Sequence, residues 1–306
     1  MSTNLTDPIF SDETKARAHF EALRWPNGPI CPRCKASDKA TLVKGKSHRP
    51  GMYQCNACRK PYSVTVGTVM ERSHIPLHKW ALGFHLYASS KKGFSAHQLS
   101  RVAGVTYKSA WFMAMRIRES MGETNPPPLG GGGKVVEVDE TFIGKPDAVF
   151  VNGRGWLNQR GTSTKRKVIS LVERGGKARS FKVENFKPET IRKVLFENIS
   201  TESRLHTDEA HHYRKPGREF AEHGRVIHCQ NEYARGDVTT NTVEGFFSIF
   251  KRGMRGIYHH CGEQHLHRYL KEFDFRYSNR SALGIEDAER ANRAIRGAEG
   301  KRLMYR

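Results

Sequence analysis

Two close pairs of cysteines are the clearest candidates for chemistry in this sequence of 306 residues. Cys31-Pro-Arg-Cys34 and Cys55-Asn-Ala-Cys58 are separated by 20 residues. Each C-x-x-C turn lets two thiolates reach one ion, and two such turns complete the tetrahedral shell that zinc prefers. Because four thiolates leave no coordination position for water, we predict one structural Zn²⁺, bound by Cys31, Cys34, Cys55 and Cys58.

Three acidic residues form a second candidate site. Asp139 follows the apolar run Val135-Val-Glu-Val138, Asp208 follows Leu205-His-Thr207, and 35 residues separate Asp208 from Glu244 on a predicted helix. An aspartate at the end of a strand is ordinarily a turn residue, so each acid alone is a weak signal. As a set, three carboxylates would repel one another unless cations bind between them. Two Mg²⁺ (or Mn²⁺) ions about 4 Å apart would meet that need and would activate both oxygens of an in-line phosphoryl displacement.

A lysine shares the helical face of the third acid. Glu244, Ser248 and Lys251 recur at helical spacing, so Lys251 points the same way as Glu244 and would bind a phosphate beside the ions. We expect Glu137 and Glu140 to be exposed and Glu209 to point away from the site. Four histidines nearby could also bind metal, although the proposed site does not need them: His206, His211, His212 and His228.

The elements that position the acids follow from the apolar patterns of the second half of the chain. Strands are predicted at Lys134–Asp139, Lys167–Val172, Ala178–Val183, Ser203–Asp208 and Val226–His228, and a helix at Pro188–Asn198. The remainder of the chain is predicted to be mainly helical. Gly175-Gly176 makes a turn between the second and third strands. A three-strand meander followed by helix, strand, helix, strand and helix predicts an α/β fold with a mixed sheet, the order that a ribonuclease H-like core requires.

A helical block precedes the sheet. Helical patterns cover residues 76–87, 95–103 and 107–118, and Gly104-Val-Thr106 forms a turn between the last two. This predicts a helix-turn-helix unit, with a plain helical bundle as the alternative. In the first interpretation the residues that face DNA are Tyr107, Lys108, Ser109 and Arg116.

The breaks in these patterns predict five segments. They are a zinc ribbon at 1–73, a helical DNA-binding domain at 74–124, a linker at 125–133, a catalytic domain at 134–280 and a C-terminal helical tail at 281–306. The linker is the least ambiguous, because Asn125 is followed by three prolines, a leucine and four glycines, which cannot continue a helix.

The charge of the chain favours a polyanionic partner. The formal net charge is +21, and residues 1–130 carry +11 of it, residues 131–250 carry +4 and residues 251–306 carry +6. We interpret the first 130 residues as the main contact with nucleic acid, although a basic surface could also serve solubility. The short apolar runs, the mean hydropathy of −0.67 and the lack of a signal pattern predict a cytoplasmic, nucleoid-associated protein without a membrane partner.

The sequence resembles bacterial insertion-sequence transposases of the DDE class that carry an N-terminal zinc ribbon, the ISXO2-like type. The resemblance covers nearly the whole chain. The motifs that carry it are the two cysteine pairs, Val136-Glu-Val-Asp-Glu-Thr-Phe-Ile-Gly144, Thr207-Asp-Glu209, Asn241–Gly253, Gly256-Ile-Tyr-His-His260 and His267–Tyr277. In such families Asn or His can replace the third acid, but here Glu244 and Lys251 match the Asp-Asp-Glu-Lys form.

The resemblance implies a ribonuclease H-like core with Asp139, Asp208, Glu244 and Lys251 in the catalytic site. It further implies Mg²⁺-dependent strand cleavage and strand transfer at terminal inverted repeats, with DNA contacts that include Lys251 and Arg252. Double-stranded DNA, as repeat and as target, and further copies of the chain in a synaptic complex are the expected partners.

Two other functions are compatible with parts of the sequence. A DNA-binding regulator built on the ribbon and the helix-turn-helix would not need the three acids in one site. A ribonuclease H-like nuclease would cut DNA without strand transfer. The ribbon itself could contact DNA or protein. Tyr258 could be taken for a recombinase nucleophile, but the acid trio makes a covalent tyrosine mechanism unnecessary.

Overall fold

The computed structural model describes residues 4–45, 47–144, 148–153, 155–158 and 165–304. The helices in these ranges are α1 Glu13–Arg24, α2 Leu77–Ser89, α3 Ala96–Ala103, α4 Tyr107–Met121, α5 Pro188–Asn198, α6 Arg214–Gly217, α7 Asn241–Gly253, α8 Leu266–Ser278 and α9 Asp287–Arg296. The strands are β1 Ala40–Leu42, β2 Tyr53–Cys55, β3 Pro61–Tyr62, β4 Val135–Ile143, β5 Ala148–Val151, β6 Gly155–Asn158, β7 Arg166–Glu173, β8 Ala178–Val183, β9 Arg204–Thr207, β10 Glu222–Arg225, β11 Ala234–Arg235 and β12 Val238–Thr239.

The chain forms two compact units. The first, here the ribbon unit, comprises Met1–Glu123 and Arg280–Arg306, and the second, the sheet unit, comprises Thr124–Asn279. In the part of the chain that the structure describes, no helix has both the length and the apolar character needed to cross a bilayer.

The ribbon unit joins a small antiparallel sheet, β1-β2-β3, to a group of helices. Helix α1 precedes the sheet, and its first turn is capped by Asp12, which accepts from the N–H groups of Thr14 and Lys15. Between α3 and α4 the chain turns at Gly104, whose φ of 58° is in the left-handed region that favours glycine. Thr106 then caps α4, so the predicted helix, turn and helix are present.

The C-terminal segment packs within the ribbon unit instead of extending as a tail. Helix α9 lies against α2, with Ala294 and Ile295 buried. The guanidinium of Arg290 donates to the carbonyl of Ala88, and the carbonyl of Ala298 accepts from the N–H of Val69. Residues from the two ends of the chain therefore share one core.

The sheet unit is built on five strands in the order β10-β9-β4-β7-β8. Strands β4, β7 and β8 form an antiparallel meander, whereas β9 is parallel to β4 and β10 is parallel to β9. Helix α5 covers one face, where Val136, Val138 and Leu205 pack with Ile191 and Leu195. Since side chains alternate along a strand, Glu137 and Asp139 point to the other face, where α7 contacts β4 and β7.

Two predictions about this unit need correction. The fifth strand of the main sheet is Glu222–Arg225 rather than Val226–His228. As an edge strand it pairs on one side only and is polar, so it lacks the apolar pattern on which the prediction relied. The predicted linker at 125–133 is partly packed: Leu129 is 2% exposed, and its N–H and carbonyl bond to the backbone of Asn198 and Ser200. The prolines and glycines exclude a helix here, but the segment is not a fully flexible linker.

Candidate metal sites

The four cysteine sulfurs converge in the ribbon unit. Their Sγ atoms all lie within 4.8 Å of one another, with Cys31 and Cys58 at 3.7 Å and Cys34 and Cys55 at 3.6 Å. Four sulfurs placed about 2.3 Å from a central Zn²⁺ would be about 3.8 Å apart in a tetrahedron. The arrangement therefore fits a structural zinc ion.

Both cysteine turns have the same backbone geometry. The N–H of Lys35 donates to the carbonyl of Cys31, and the N–H of Arg59 donates to the carbonyl of Cys55. Lys35 and Arg59 have φ values of 62° and 58°, which close each turn tightly. The N–H of Cys58 donates to the Cys55 sulfur and, with hydrogen bonds from Cys34 and Ala57, lowers the pKa of the Cys55 thiol to about 6. The same close approach of thiols raises the pKa of Cys34 to about 11, so without a metal ion the charge is concentrated on Cys55.

A second cluster lies in the sheet unit, where β4 extends beyond its neighbour β9. Strand β9 is in register with β4 from Arg204 opposite Val135 to His206 opposite Glu137, so Asp208 follows the strand at the level of Asp139. Parallel neighbours are about 4.8 Å apart, which brings the two carboxyl groups together. Carboxylate oxygens of Asp139, Glu140 and Asp208 all lie within 4.8 Å of one another. Oxygen ligands at this charge density suit Mg²⁺ or Mn²⁺.

The electrostatics of this cluster favour a bound cation. Burial, together with the charges of Glu140, Asp208 and Glu244, raises the pKa of Asp139 to about 7, although the N–H of Glu140 opposes the shift. Burial also raises the pKa of Asp208, although its Oδ1 accepts from the N–H of Ala210 at 2.9 Å. Without a cation the carboxylates are held in an unfavourable charged state.

Glu140 is a member of the cluster that the sequence did not identify, and the expectation that it is exposed is wrong. Its side chain is 9% exposed and forms an ion pair with His212. In the alternation of β4 it belongs to the face opposite Asp139, but its carboxylate still reaches Asp139 and Asp208. Its position next to Asp139 in the sequence was the one sign that Glu140 could join the cluster. Strict alternation of side chains along a strand predicted the opposite face.

Glu244 lies next to the cluster but does not belong to it in the geometry described. It is near the start of α7 with 47% of its side chain exposed, and its Oε1 accepts from the Thr240 hydroxyl at 2.7 Å. The Nε2 atom of His228 is 3.6 Å from the same oxygen. The charge of Glu244 contributes to the raised pKa of Asp139, so the two carboxylates interact. The role of Glu244 as a metal ligand stays a prediction.

The basic residues of α7 lie further along the same helix. Lys251 is half-buried, with its Nζ 5.7 Å from the centre of the Phe247 ring. Arg252 is exposed, and its guanidinium donates to the Ser248 hydroxyl. The charged groups of Lys251 and Arg252 are therefore within reach of a ligand that approaches α7.

The expected exposure of Glu137 is also wrong, since its side chain is completely buried.

The expected position of Arg116 on a DNA-facing surface needs correction too. Its side chain donates to the carbonyls of Glu71 and Leu303 and lies over the Phe112 ring, 4.0 Å from the ring centre. Because these contacts bury Arg116 inside the ribbon unit, we remove it from the residues expected to face DNA.

The other residues expected to face DNA lie at the start of α4. Tyr107 and Lys108 are exposed, and the Tyr107 ring stacks on His97 with 4.1 Å between the ring centres. Ser109 is half-buried, and its N–H and hydroxyl both bond to the Thr106 hydroxyl. Ser109 therefore stabilises the helix start, and Tyr107 and Lys108 remain accessible.

Comparison with known proteins defines the class of the chain. Residues 128–278 match the ISXO2-like transposase domain, and residues 11–61 match a transposase zinc-ribbon domain. An uncharacterized protein in transposable element ISH50 of Halobacterium salinarum is 28% identical over 282 residues, which span 87% of this chain and 91% of that protein. The two domain matches together cover well over half of the chain, which belongs to the family of ISXO2-like insertion-sequence transposases with an N-terminal zinc ribbon.

Proposed function

We propose that this protein cleaves DNA strands at the terminal inverted repeats of an insertion sequence and joins the freed ends to target DNA. The observation that carries the proposal is the meeting of Asp139 and Asp208 at adjacent strands, where burial and neighbouring carboxylates raise the pKa of both carboxyl groups. Acids gathered in this way repel one another, which favours a cation-dependent step.

The topology supports a ribonuclease H-like assignment for the sheet unit. An antiparallel meander of β4, β7 and β8 is extended by two parallel strands, β9 and β10, on the other side of β4. Helices α5 and α7 cover opposite faces of this sheet. This order places the first acid on the central strand and the second after its parallel neighbour, as the proposed fold requires.

Each residue has a distinct task in the proposed site. Asp139 and Asp208 would hold one cation, and Asp139 and Glu244 would hold a second. Bound Mg²⁺ would polarise the scissile phosphate and favour ionisation of the attacking hydroxyl. Lys251 and Arg252 would hold phosphate groups of the DNA along α7. Glu140, paired with His212, would complete the ligand set beside Asp139 and Asp208.

The ribbon unit would supply much of the affinity for double-stranded DNA. Basic side chains are exposed around the zinc site, and they are Arg33, Lys35, Lys39, Lys44, Arg49, Arg59 and Lys60. Lys46, in the same part of the sequence, lies outside the described residues. These side chains would contact phosphates, whereas Tyr107 and Lys108 at the start of α4 would contact base edges in a helix-turn-helix mode. Two DNA ends must meet for transposition, so we expect a homo-oligomeric complex at the nucleoid.

The proposal is tested with a supercoiled plasmid that carries the chain's own gene and its flanking DNA. We expect Mg²⁺-dependent nicking at the ends of the element by the wild type and none by Asp208→Asn. Glu197→Gln, which neutralises an exposed acid on α5, is the matched control and should nick normally. Equal nicking by the wild type and Asp208→Asn would contradict the assignment of the site.

The same experiment separates the other functions. A wild type that nicks but yields no joined products would indicate a nuclease. A wild type that binds the ends with no Mg²⁺-dependent change in the DNA would indicate a DNA-binding regulator.

A further inference from the structure

A carboxylate from the sheet holds the start of α7, the helix that bears Glu244. Oε2 of Glu137 accepts from the N–H groups of Thr242 at 2.7 Å and Val243 at 3.1 Å, and Oε1 accepts from the Thr242 hydroxyl at 2.8 Å. The free N–H groups of a first helical turn are ordinarily bonded by the side chain of the preceding residue. Here the acceptor comes from β4, so the helix is tied to the strand that carries Asp139.

The residue in the usual capping position makes a different bond. Thr240 directly precedes α7 but forms no side-chain cap. Its hydroxyl instead donates to Oε1 of Glu244 at 2.7 Å, and the residue is 1% exposed. Because Thr240 holds the acid, the N–H groups of Thr242 and Val243 depend on Glu137, while that of Asn241 donates to the Thr239 hydroxyl.

An arginine completes the anchor. The Nε and Nη2 atoms of Arg174 donate to Oε1 of Glu137 at 3.0 and 2.7 Å. The same guanidinium donates to the carbonyls of Asp237 at 3.0 Å and Thr239 at 3.5 Å, in the segment that leads into α7. A fully buried carboxylate without a paired cation would strongly destabilise the fold, so Arg174 makes the burial of Glu137 possible and fixes the approach to the helix.

The strand sets the distance between the anchor and the first acid. Glu137 and Asp139 are two residues apart on the same face of β4, which separates them by about 7 Å along the strand. One rigid strand therefore carries both the acid at the centre of the proposed site and the group that positions the helix of the third acid.

We infer that Glu137 and Arg174 are positioning residues that place α7 so that Glu244 can bind a cation held by Asp139. The inference rests on the proposed function, because it assumes that Glu244 is a ligand. Neither residue belongs to the acidic cluster of Asp139, Glu140 and Asp208. Loss of the anchor lowers the affinity for the ion that Glu244 shares and leaves the ion between Asp139 and Asp208 in place.

Mn²⁺ binding to the full-length, zinc-loaded protein, followed by calorimetry and by electron paramagnetic resonance, tests this inference. We expect two Mn²⁺ ions in the wild type and one in Glu244→Gln. In Glu137→Gln, the ion that depends on Glu244 should bind about 10-fold or more weakly, as is typical when a group behind a metal ligand is lost. In a Glu244→Gln background, Glu137→Gln should change nothing further. Arg174→Lys should weaken the same ion.

The matched control is Glu272→Gln, which neutralises another fully buried glutamate paired with an arginine, Arg276, on α8. It should lower thermal stability and leave both Mn²⁺ affinities unchanged. If Glu137→Gln does not fold, Thr242→Val removes a single bond to Glu137 and should weaken the Glu244 ion alone. Unchanged Mn²⁺ binding in the folded anchor variants, or equal weakening of both ions, would overturn the inference.

Failure of the proposed function has a different signature. A wild type that binds no Mn²⁺, or an Asp139→Asn variant that binds it as the wild type does, would refute the metal site itself. Loss of one ion in Glu244→Gln together with wild-type binding in Glu137→Gln would leave the site intact and refute only the anchor.

Discussion

Replacing Asp139 by asparagine should stabilise the cation-free protein at pH 8. The pKa of Asp139 is raised in the fold from an ordinary value of 3.8 to about 7, first by burial and then by the charge of Glu140. A raised carboxyl pKa means that the folded state binds the proton more tightly than the unfolded state. The penalty on folding is therefore absent below about pH 4, grows as the pH rises towards 7, and is complete above pH 7.

The size of the effect follows from the shift. Each pKa unit corresponds to about 1.4 kcal/mol, so a shift of about three units destabilises the folded state by up to about 4 kcal/mol at pH 8. For a body the size of the sheet unit this corresponds to a rise in Tm of roughly 10 °C in Asp139→Asn. The gain should shrink towards zero as the pH falls to about 4.

The assay is differential scanning calorimetry of the full chain across this pH range. Divalent cations are removed by dialysis of the protein against buffer that has been passed over a chelating resin, so that no chelator contacts the protein and the ribbon keeps its zinc. Added Mg²⁺ should then raise the Tm of the wild type and leave that of Asp139→Asn nearly unchanged, because a ligand stabilises only the state that binds it. A variant that is less stable than the wild type at pH 8 without Mg²⁺ would refute this reasoning.

Three further outcomes are expected in the ribbon unit. Cys55→Ser should lose the zinc ion, and the Tm of the ribbon unit should fall. The control Cys229→Ser, at an exposed cysteine of the sheet unit, should retain zinc. Full zinc content in Cys55→Ser, measured by mass spectrometry, would contradict the four-thiolate site. Arg116→Ala should lower thermal stability by breaking buried bonds to the carbonyls of other segments, and a normal melting curve would contradict that structural role. Lys108→Ala should leave the melting curve unchanged and weaken binding to the end of the element more than binding to unrelated DNA of the same length, as measured by fluorescence anisotropy; equal weakening on both DNAs would contradict a base contact.

Local patterns predicted the elements that depend on local signals. Helix α5 begins at Pro188 and ends at Asn198, as the pattern indicated, and the turn at Gly104 lies between helices because glycine adopts the left-handed backbone there. The paired C-x-x-C spacing likewise predicted a site that is closed by short turns. In these cases the residues that decide the structure are neighbours in the sequence.

Errors arose where distant segments decide burial. Glu137 alternates with apolar residues and so was predicted to face solvent, but α7, whose first turn lies more than 100 positions further along the chain, covers it. Arg116 was assigned to a DNA-facing surface, but the carbonyl of Leu303, 187 positions away, accepts from it. Strand alternation and helical spacing identify a face without identifying what packs on it.

Strand joining by the proposed acid trio is the most direct test of the central claim. Linear DNA carrying an end of the element with a free 3′-hydroxyl is incubated with a supercoiled target plasmid and Mg²⁺, and covalent joining is followed on denaturing gels. The proposal predicts joined products with the wild type and with Glu197→Gln, and none with Asp139→Asn, Asp208→Asn or Glu244→Gln, although all bind the DNA end. Joining by any of these three folded variants at the wild-type rate would contradict it.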